Sequence, residues 1–120
     1  MRRNPTKDTS SQRFTKRERL RERSEIDRVF TQGRTVSCQG MKLRYIKNSR
    51  DYNRIVVVPE RKYKNAVRRN AAKRVARELF RTAKPSFSGG HDCGLIMFVG
   101  PYSFHDRQRQ FLYLSRKAEL

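Results

Sequence analysis

The strand and helix that decide the fold are encoded by residues 54–81, which read RIVVVPERKYKNAVRRNAAKRVARELFR. The β-branched run from Ile55 to Val58 predicts a strand that is buried on both faces, and Pro59 ends that strand. Asn65 is a favourable N-cap residue, and the residues after it predict a helix that continues to about Thr82. A strand that leads into a long helix in this way indicates a domain of mixed α and β structure.

Positive charge occupies one side of this predicted helix. At about 100° per residue, the apolar residues share the other side; they are Val67, Ala71, Ala72, Val75, Ala76 and Leu79. Arg69, Lys73 and Arg77 form a row spaced four apart, flanked by Asn70, Arg74 and Arg81, and Glu78 is the one carboxylate in the helix. Like charges at this spacing destabilise a helix. Because a phosphate backbone would relieve that repulsion, the helix is predicted to bind nucleic acid.

Composition supports a polyanionic partner and a single domain. The chain has 120 residues, with 30 Lys and Arg against 11 Asp and Glu, which gives a net charge of +19. Such a charge favours nucleic acid, an anionic membrane or an acidic protein. No apolar run approaches the roughly 20 residues of a membrane-spanning helix, and the polar N-terminus lacks a secretory signal. We therefore expect a cytoplasmic protein with no membrane partner.

The remaining elements are predicted from apolar spacing and from capping residues. Residues 1–12 are polar and are predicted to be a disordered basic tail, which leaves residues 13–120 as one nucleic-acid-binding domain. A first helix begins at Ser24 and ends at Gly33, and a last helix begins at Ser103, with Asp106 as its capping-box partner. Strands are predicted between them, including Met41–Lys47 and Cys93–Val99. The predicted order α-β-β-β-α-β-α is that of an α+β domain whose helices lie mainly on one face of a small sheet.

No residue pattern in the chain predicts protein-based catalysis. Cys38 and Cys93 are far apart and neither has a C-x-x-C partner, so they predict neither a zinc site nor a disulfide. We expect both to be reduced residues in or near the core. His91 and His105 lie in sequences typical of turns and caps, and the acidic residues are scattered singly among basic ones. We therefore predict no catalytic residue and no metal site in the protein.

The helix sequence resembles the signature of the bacterial ribonuclease P protein family. The matching residues are Arg61, Lys62, Ala66, Val67, Arg69, Asn70, Lys73, Arg74, Arg77 and Phe80. Supporting matches are Arg19-Leu-Arg, the Val29-Phe30-x-x-Gly33 segment and the Gly89-Gly90-His91-Asp92 turn, so the resemblance runs from Arg19 to the C-terminus. The chain departs from the family pattern where Ala71 replaces the second Arg of Arg-Asn-Arg, where Lys64 replaces Gly, and at Pro59 and Glu60.

The resemblance implies a fold, binding partners and separate roles for the protein and the RNA subunit. The fold would be a small α/β sandwich like the ribosomal protein S5 domain 2-like fold. The RNA subunit would cut the 5′ leader from precursor tRNA with Mg²⁺ that is bound mainly by RNA. A monomeric protein would bind the catalytic RNA in a 1:1 complex, without a tightly bound metal of its own, and would contact precursor tRNA. The implied RNA-binding residues are Arg61, Lys62, Lys64, Asn65, Arg68, Arg69, Asn70, Lys73, Arg74, Arg77 and Arg81. The implied leader-binding cleft contains Ile26, Phe30 and Tyr45.

Two other functions stay open at this point. The first is a different basic RNA-binding module, such as a ribosomal protein or an RNA chaperone, although the order of motifs along the chain favours the ribonuclease P family. The second is a nuclease with its active site in the protein, which would require clustered carboxylates or paired histidines. A test for activity of the RNA-free protein separates this second function from the others, and we expect no activity.

Overall fold

A four-stranded sheet and three helices make up most of residues 13–120, the part of the chain that the computed structural model describes. The elements in chain order are α1 (Arg23–Gln32), β1 (Arg34–Cys38), β2 (Met41–Lys47), β3 (Arg54–Pro59), α2 (Ala66–Ala83), β4 (His91–Met97) and α3 (Phe104–Ala118). The predicted α+β order is therefore confirmed. The predicted disordered tail at residues 1–12 lies outside the described residues.

The strand order in the sheet is β1-β2-β4-β3, so β1 and β3 are its edges. β1 and β2 form an antiparallel hairpin, β4 pairs antiparallel with β2, and β3 pairs parallel with β4. The parallel pair requires a crossover, and α2 supplies it. β4 is thus the strand that joins the hairpin to the β3–α2 unit.

The main core lies between one face of the sheet and helices α2 and α3. Alternate strand residues enter it; they include Met41, Leu43, Ile55, Cys93, Leu95 and Met97. The helices contribute the buried side chains of Ala76, Leu79, Phe80, Phe111 and Leu114. Cys38 packs against this core and Cys93 lies within it, as predicted. Burial raises the pKa of both thiols.

Helix α1 packs on the opposite face of the sheet, over β2 and β4. Phe30 lies directly on the backbone of Gly94, where a Cβ atom would come within 2.4 Å of Cζ of Phe30. Because two of the three helices share the other face, the prediction of helices mainly on one face is confirmed.

A buried ionic network fixes α1 to the sheet. Arg54 of β3 donates from Nε and Nη2 to the two carboxylate oxygens of Asp92 on β4, both at 2.8 Å. Its Nη2 also contacts Glu25 of α1 at 3.0 Å. Asn48 donates to the same Asp92 carboxylate at 2.8 Å. These hydrogen bonds and ion pairs raise the pKa of Arg54 and connect three elements that are distant in sequence.

The predicted caps Asn65 and Ser103 are present, whereas Ser24 lies inside the first turn of α1, whose N-cap is Glu22, and two predicted burials are wrong. The side chain of Asn65 accepts a hydrogen bond from the Arg68 amide, and Ser103 forms a capping box with Asp106. Val67 is 75% exposed, because the first turn of α2 precedes the part of the helix that is buried on the sheet. Val58 is 38% exposed because β3 is an edge strand and α1 covers β2 and β4 instead. Within residues 13–120, no helix is long and apolar enough to span a bilayer.

Candidate nucleic-acid interface

The polar side of α2 presents the predicted cations to solvent. Arg68, Arg69 and Arg74 are exposed, as are Asn65 and Asn70. Lys73, Arg77 and Arg81 are half-buried, since their aliphatic stems lie closer to the packed side of the helix. The buried residues Ala72, Ala76, Leu79, Phe80 and Ala83 anchor the other side of α2 and so fix the direction in which the cations point.

Carboxylates neutralise little of this surface. Among the described residues, Arg81 is the one predicted contact cation with a carboxylate partner; its Nη2 lies 2.6 Å from Oε2 of Glu78. That hydrogen bond lowers the pKa of Glu78 and raises that of Arg81. The row of Arg69, Lys73 and Arg77 forms no ion pair within residues 13–120. The surface therefore keeps a concentrated positive charge, which attracts phosphate.

The loop before α2 adds three exposed cations, Arg61, Lys62 and Lys64. It is held against the fold by Glu60, whose Oε1 accepts a hydrogen bond from the Val99 amide at 2.9 Å. Arg69 also donates to the carbonyl oxygen of Arg61 at 3.3 Å, which connects the loop to the helix. Glu60 departs from the family pattern, and the structure gives it a role inside the protein.

Beside α1, the sheet face that the helix occupies is left partly uncovered, and we take this region as the cleft expected from the sequence. Phe30 borders it on the helix side, and Ile26, one turn earlier on α1, is half-buried. On the sheet side, Val56 pairs with Gly94 and Val58 pairs with Ile96. Ile96 in turn pairs with Lys42 of β2. All five residues lie on the face of the sheet that α1 occupies. These five sheet residues are not in the predicted set. The β-branched run at residues 55–58 is the sequence signal for two of them, but a run without alternation predicts burial on both faces and not one open face.

Tyr45 does not belong to this cleft, contrary to expectation. Its backbone pairs with that of Cys93, whose side chain is buried in the core on the opposite face. Tyr45 packs against that core, and its ring centroid lies 5.8 Å from that of His91. Tyr45 and Phe30 are therefore separated by the sheet. The predicted pairing failed because side chains alternate along a strand, and the sequence did not show which face α1 covers.

Three carboxylates outside α2 hold parts of the fold together through ion pairs. Glu25 and Asp92 bind Arg54, and Glu18 binds Lys84 with an N···O distance of 3.0 Å. Burial is the main cause that lowers the pKa of His91. Residues 13–120 contain no group of three or more His, Cys, Asp or Glu side chains arranged to hold a metal ion.

The domain is basic, with a largely cationic helix face and a separate apolar region on the sheet. These are features of an RNA-binding protein. Comparison with known proteins specifies the family. The family model for ribonuclease P matches residues 14–119. The chain belongs to the bacterial ribonuclease P protein family and is a protein subunit of that tRNA-processing ribonucleoprotein. This confirms the resemblance carried by the α2 sequence.

Individual relatives agree with this assignment. The ribonuclease P protein component of Petrotoga mobilis is 43% identical over 115 residues, which cover 90% of this chain and 97% of the relative. That of Thermotoga maritima is 39% identical over 83 residues, or 69% of this chain and 71% of the relative. The solved structure of the Thermotoga maritima protein has a TM-score of 0.74 at 31% identity and covers 82% of this chain and 96% of that one. A Staphylococcus aureus ribonuclease P protein, with 23% identity and a TM-score of 0.74, shares the fold.

Proposed function

We propose that the chain binds the catalytic RNA of ribonuclease P through the cationic side of α2, and the single-stranded leader of precursor tRNA through the cleft beside α1. The observation that carries this proposal is the row of Arg69, Lys73 and Arg77, which forms no ion pair among the described residues and lies on a helix anchored by its other side. As a family member the protein is part of an endoribonuclease complex. The α2 surface would bind the catalytic RNA, and the cleft would bind the leader of the precursor tRNA.

Phosphate contacts explain why the α2 surface suits a folded RNA. Each Lys or Arg that neutralises a phosphate releases condensed counterions, so affinity comes mainly from charge and falls with salt. The fixed positions of the cations along a helix select a particular path of phosphates. Arg81 joins such a path when a phosphate replaces Glu78 as its partner, because both are anions that accept paired hydrogen bonds. The set of contact residues on α2 and its preceding loop stays as predicted from the sequence.

Apolar contact explains how the cleft accepts leaders of varied sequence. A base that stacks on an aromatic ring gains about 1–3 kcal/mol without regard to its identity. Phe30 offers such a ring, and Val56, Val58 and Ile96 extend the apolar surface along the sheet. Lys42, next to Ile96 in the strand pairing, supplies a cation for the leader phosphates. The cleft therefore favours a single strand whose bases are free to turn toward the protein.

Within this assignment, the protein binds and orients while the RNA subunit performs the chemistry. Phosphodiester hydrolysis requires activation of water and stabilisation of the leaving oxygen, which Mg²⁺ held by the RNA supplies. Three of the carboxylates, Glu18, Glu25 and Asp92, are engaged in ion pairs with Lys84 and Arg54. We also propose a 1:1 complex of a protein monomer with the RNA, acting in the cytoplasm where precursor tRNA is made.

Reconstitution at low magnesium tests the proposed function. The full chain is mixed with a bacterial ribonuclease P RNA, and release of the 5′ leader from precursor tRNA is followed over time. We expect cleavage when protein and RNA are both present, and none with protein alone. Tight binding of cognate RNA without any change in cleavage would instead favour a ribosomal-protein-like or chaperone role. Turnover by protein freed of RNA and repurified would place the active site in the protein.

A further inference from the structure

A second concave surface lies on the other side of the sheet from the leader cleft. It is a pocket of about 420 Å³ between the start of α2, the end of β4 and the start of α3. This volume lies within the range of about 300–1,000 Å³ that is typical of small-ligand sites. Ala71, Ala72 and Val75 form its α2 wall, and Met97 lies at the sheet end. Two consecutive alanines leave this space open, and one of them, Ala71, stands where the family pattern has Arg.

Aromatic rings form the opposite wall of this pocket and are held in place. Tyr102 lies so close to the backbone that a Cβ atom on Gly100 would come within 2.3 Å of its ring, and one on Gly40 within 2.9 Å. Phe104 also lines the pocket and is 43% exposed. A fixed ring beside an exposed ring is a surface on which a planar base stacks with little loss of side-chain entropy.

The charge around the pocket has one sign. Four cations line it and no carboxylate does; the cations are Lys62, Lys64, Arg68 and Arg107. Arg107 is only 6% exposed and forms no ion pair among residues 13–120. Its guanidinium donates to neutral groups, including the Gly40 carbonyl at 2.6 Å and the Tyr63 hydroxyl at 3.2 Å, and lies 4.6 Å from the centroid of the Tyr102 ring. A buried cation without a counterion makes the pocket attractive to an anion.

We propose that this pocket receives one unstacked nucleotide of the catalytic RNA, with its base between the α2 wall and the aromatic rings and its phosphate at the mouth. The inference rests on the proposed function and deepens it. The catalytic RNA is the source, because Lys62, Lys64 and Arg68 belong to both the pocket and the cationic surface of α2. The leader cleft lies on the opposite face of the sheet, so a leader base bound there does not reach this pocket.

Two substitutions test the pocket without changing its charge. Ala71→Leu narrows it by adding a larger side chain to the α2 wall, and Phe104→Ala removes its exposed ring. Tyr113→Ala is the matched control, since Tyr113 is 49% exposed on the same helix as Phe104 and does not line the pocket. Thermal unfolding followed by circular dichroism establishes that each variant folds. We expect Ala71→Leu and Phe104→Ala to weaken binding of the catalytic RNA by about fivefold to about a hundredfold, the range given by loss of one base stack.

The salt dependence and a cross-link separate this inference from simple phosphate binding. Because stacking is not electrostatic, the fold-loss for Phe104→Ala is expected to persist at high salt. Ultraviolet irradiation of the bound complex is expected to join an RNA base to the peptide that contains Tyr102 and Phe104. If both variants bind the catalytic RNA as tightly as the unaltered chain does and no such adduct forms, the pocket inference is wrong while the proposed function stands. If the unaltered chain does not bind the catalytic RNA, the proposed function fails as well.

Discussion

Gly94 shows how a single missing side chain shapes the α1 face of the sheet. The ring of Phe30 occupies the space where a Cβ atom on residue 94 would stand. This contact lets α1 approach the sheet closely while leaving the ring at the border of the cleft. The side chain that is proposed to meet leader bases is thus positioned by the backbone of a neighbouring strand.

We predict that Gly94→Ala lowers the free energy of unfolding by about 1–3 kcal/mol, the usual cost of overpacking a filled site. The added methyl group would displace Phe30 or push α1 outward. Denaturant titration measures the loss. The double variant Gly94→Ala with Phe30→Leu should recover part of it, because the smaller side chain leaves room for the methyl group. If the two single losses simply add, the close contact is not the cause.

At the scale of single elements, the two sides of α2 have different roles. Its apolar side is fixed in the core, and its cationic side is free of carboxylates apart from the Glu78 pair. The cleft, in contrast, combines several elements: α1 supplies Phe30, the edge strand β3 supplies Val56 and Val58, and the inner strands β4 and β2 supply Ile96 and Lys42. The first surface is therefore tested through charge and the second through apolar contact.

We predict that Lys73→Ala or Arg69→Ala weakens binding of the catalytic RNA and makes it less sensitive to salt. Each removes one phosphate contact, so the slope of log affinity against log salt should fall in magnitude by roughly 0.7–0.9. Arg34→Ala is the control, because Arg34 is an exposed cation at the opposite edge of the sheet from α2. If the slope of log affinity against log salt is unchanged for both α2 variants, this helix is not part of the interface.

For the cleft, we predict that Phe30→Ala or Val58→Ser weakens binding of precursor tRNA to the assembled enzyme and leaves mature tRNA unaffected. Only the precursor carries the leader that would contact these side chains. A binding titration with both tRNAs measures the difference, and we expect about fivefold or more for Phe30→Ala. Tyr45→Leu serves as the control because Tyr45 lies beneath the sheet. An equal loss for mature tRNA would argue against the cleft as the leader site.

At the scale of the whole molecule, the Arg54 network holds the α1 layer to the sheet. We predict that Arg54→Gln lowers the free energy of unfolding by about 3–5 kcal/mol, because Asp92 would remain buried without its cation. Amide hydrogen exchange in α1 should accelerate as well. Arg81→Gln breaks a more exposed pair and should cost about 1 kcal/mol or less. If the two variants lose similar amounts of unfolding free energy, burial of Asp92 is not the cause of the stabilisation by this network.

The whole fold also shows which features a sequence can predict. The bounds of α2 were predicted to within one residue, since the Asn65 cap and the apolar spacing are local signals. The exposure of Val58 and the side on which Tyr45 lies depend on strand order and on where α1 packs. Those are contacts between distant parts of the chain. For the same reason, the pocket behind Ala71 could not be predicted, although its alanines and aromatic residues are evident in the sequence.

The edge position of β3 has a consequence for how two RNAs meet on one protein. The strand turns Val56 and Val58 toward the cleft, while Ile55 and Val57 face the core beneath α2. The two proposed RNA sites are therefore separated by β3 and by the core and α2 that pack beneath it. The packed sheet and helix then act as a spacer, and the packing of α2 on the sheet sets the separation between leader and catalytic RNA. A substrate would be aligned by this distance, whatever its leader sequence.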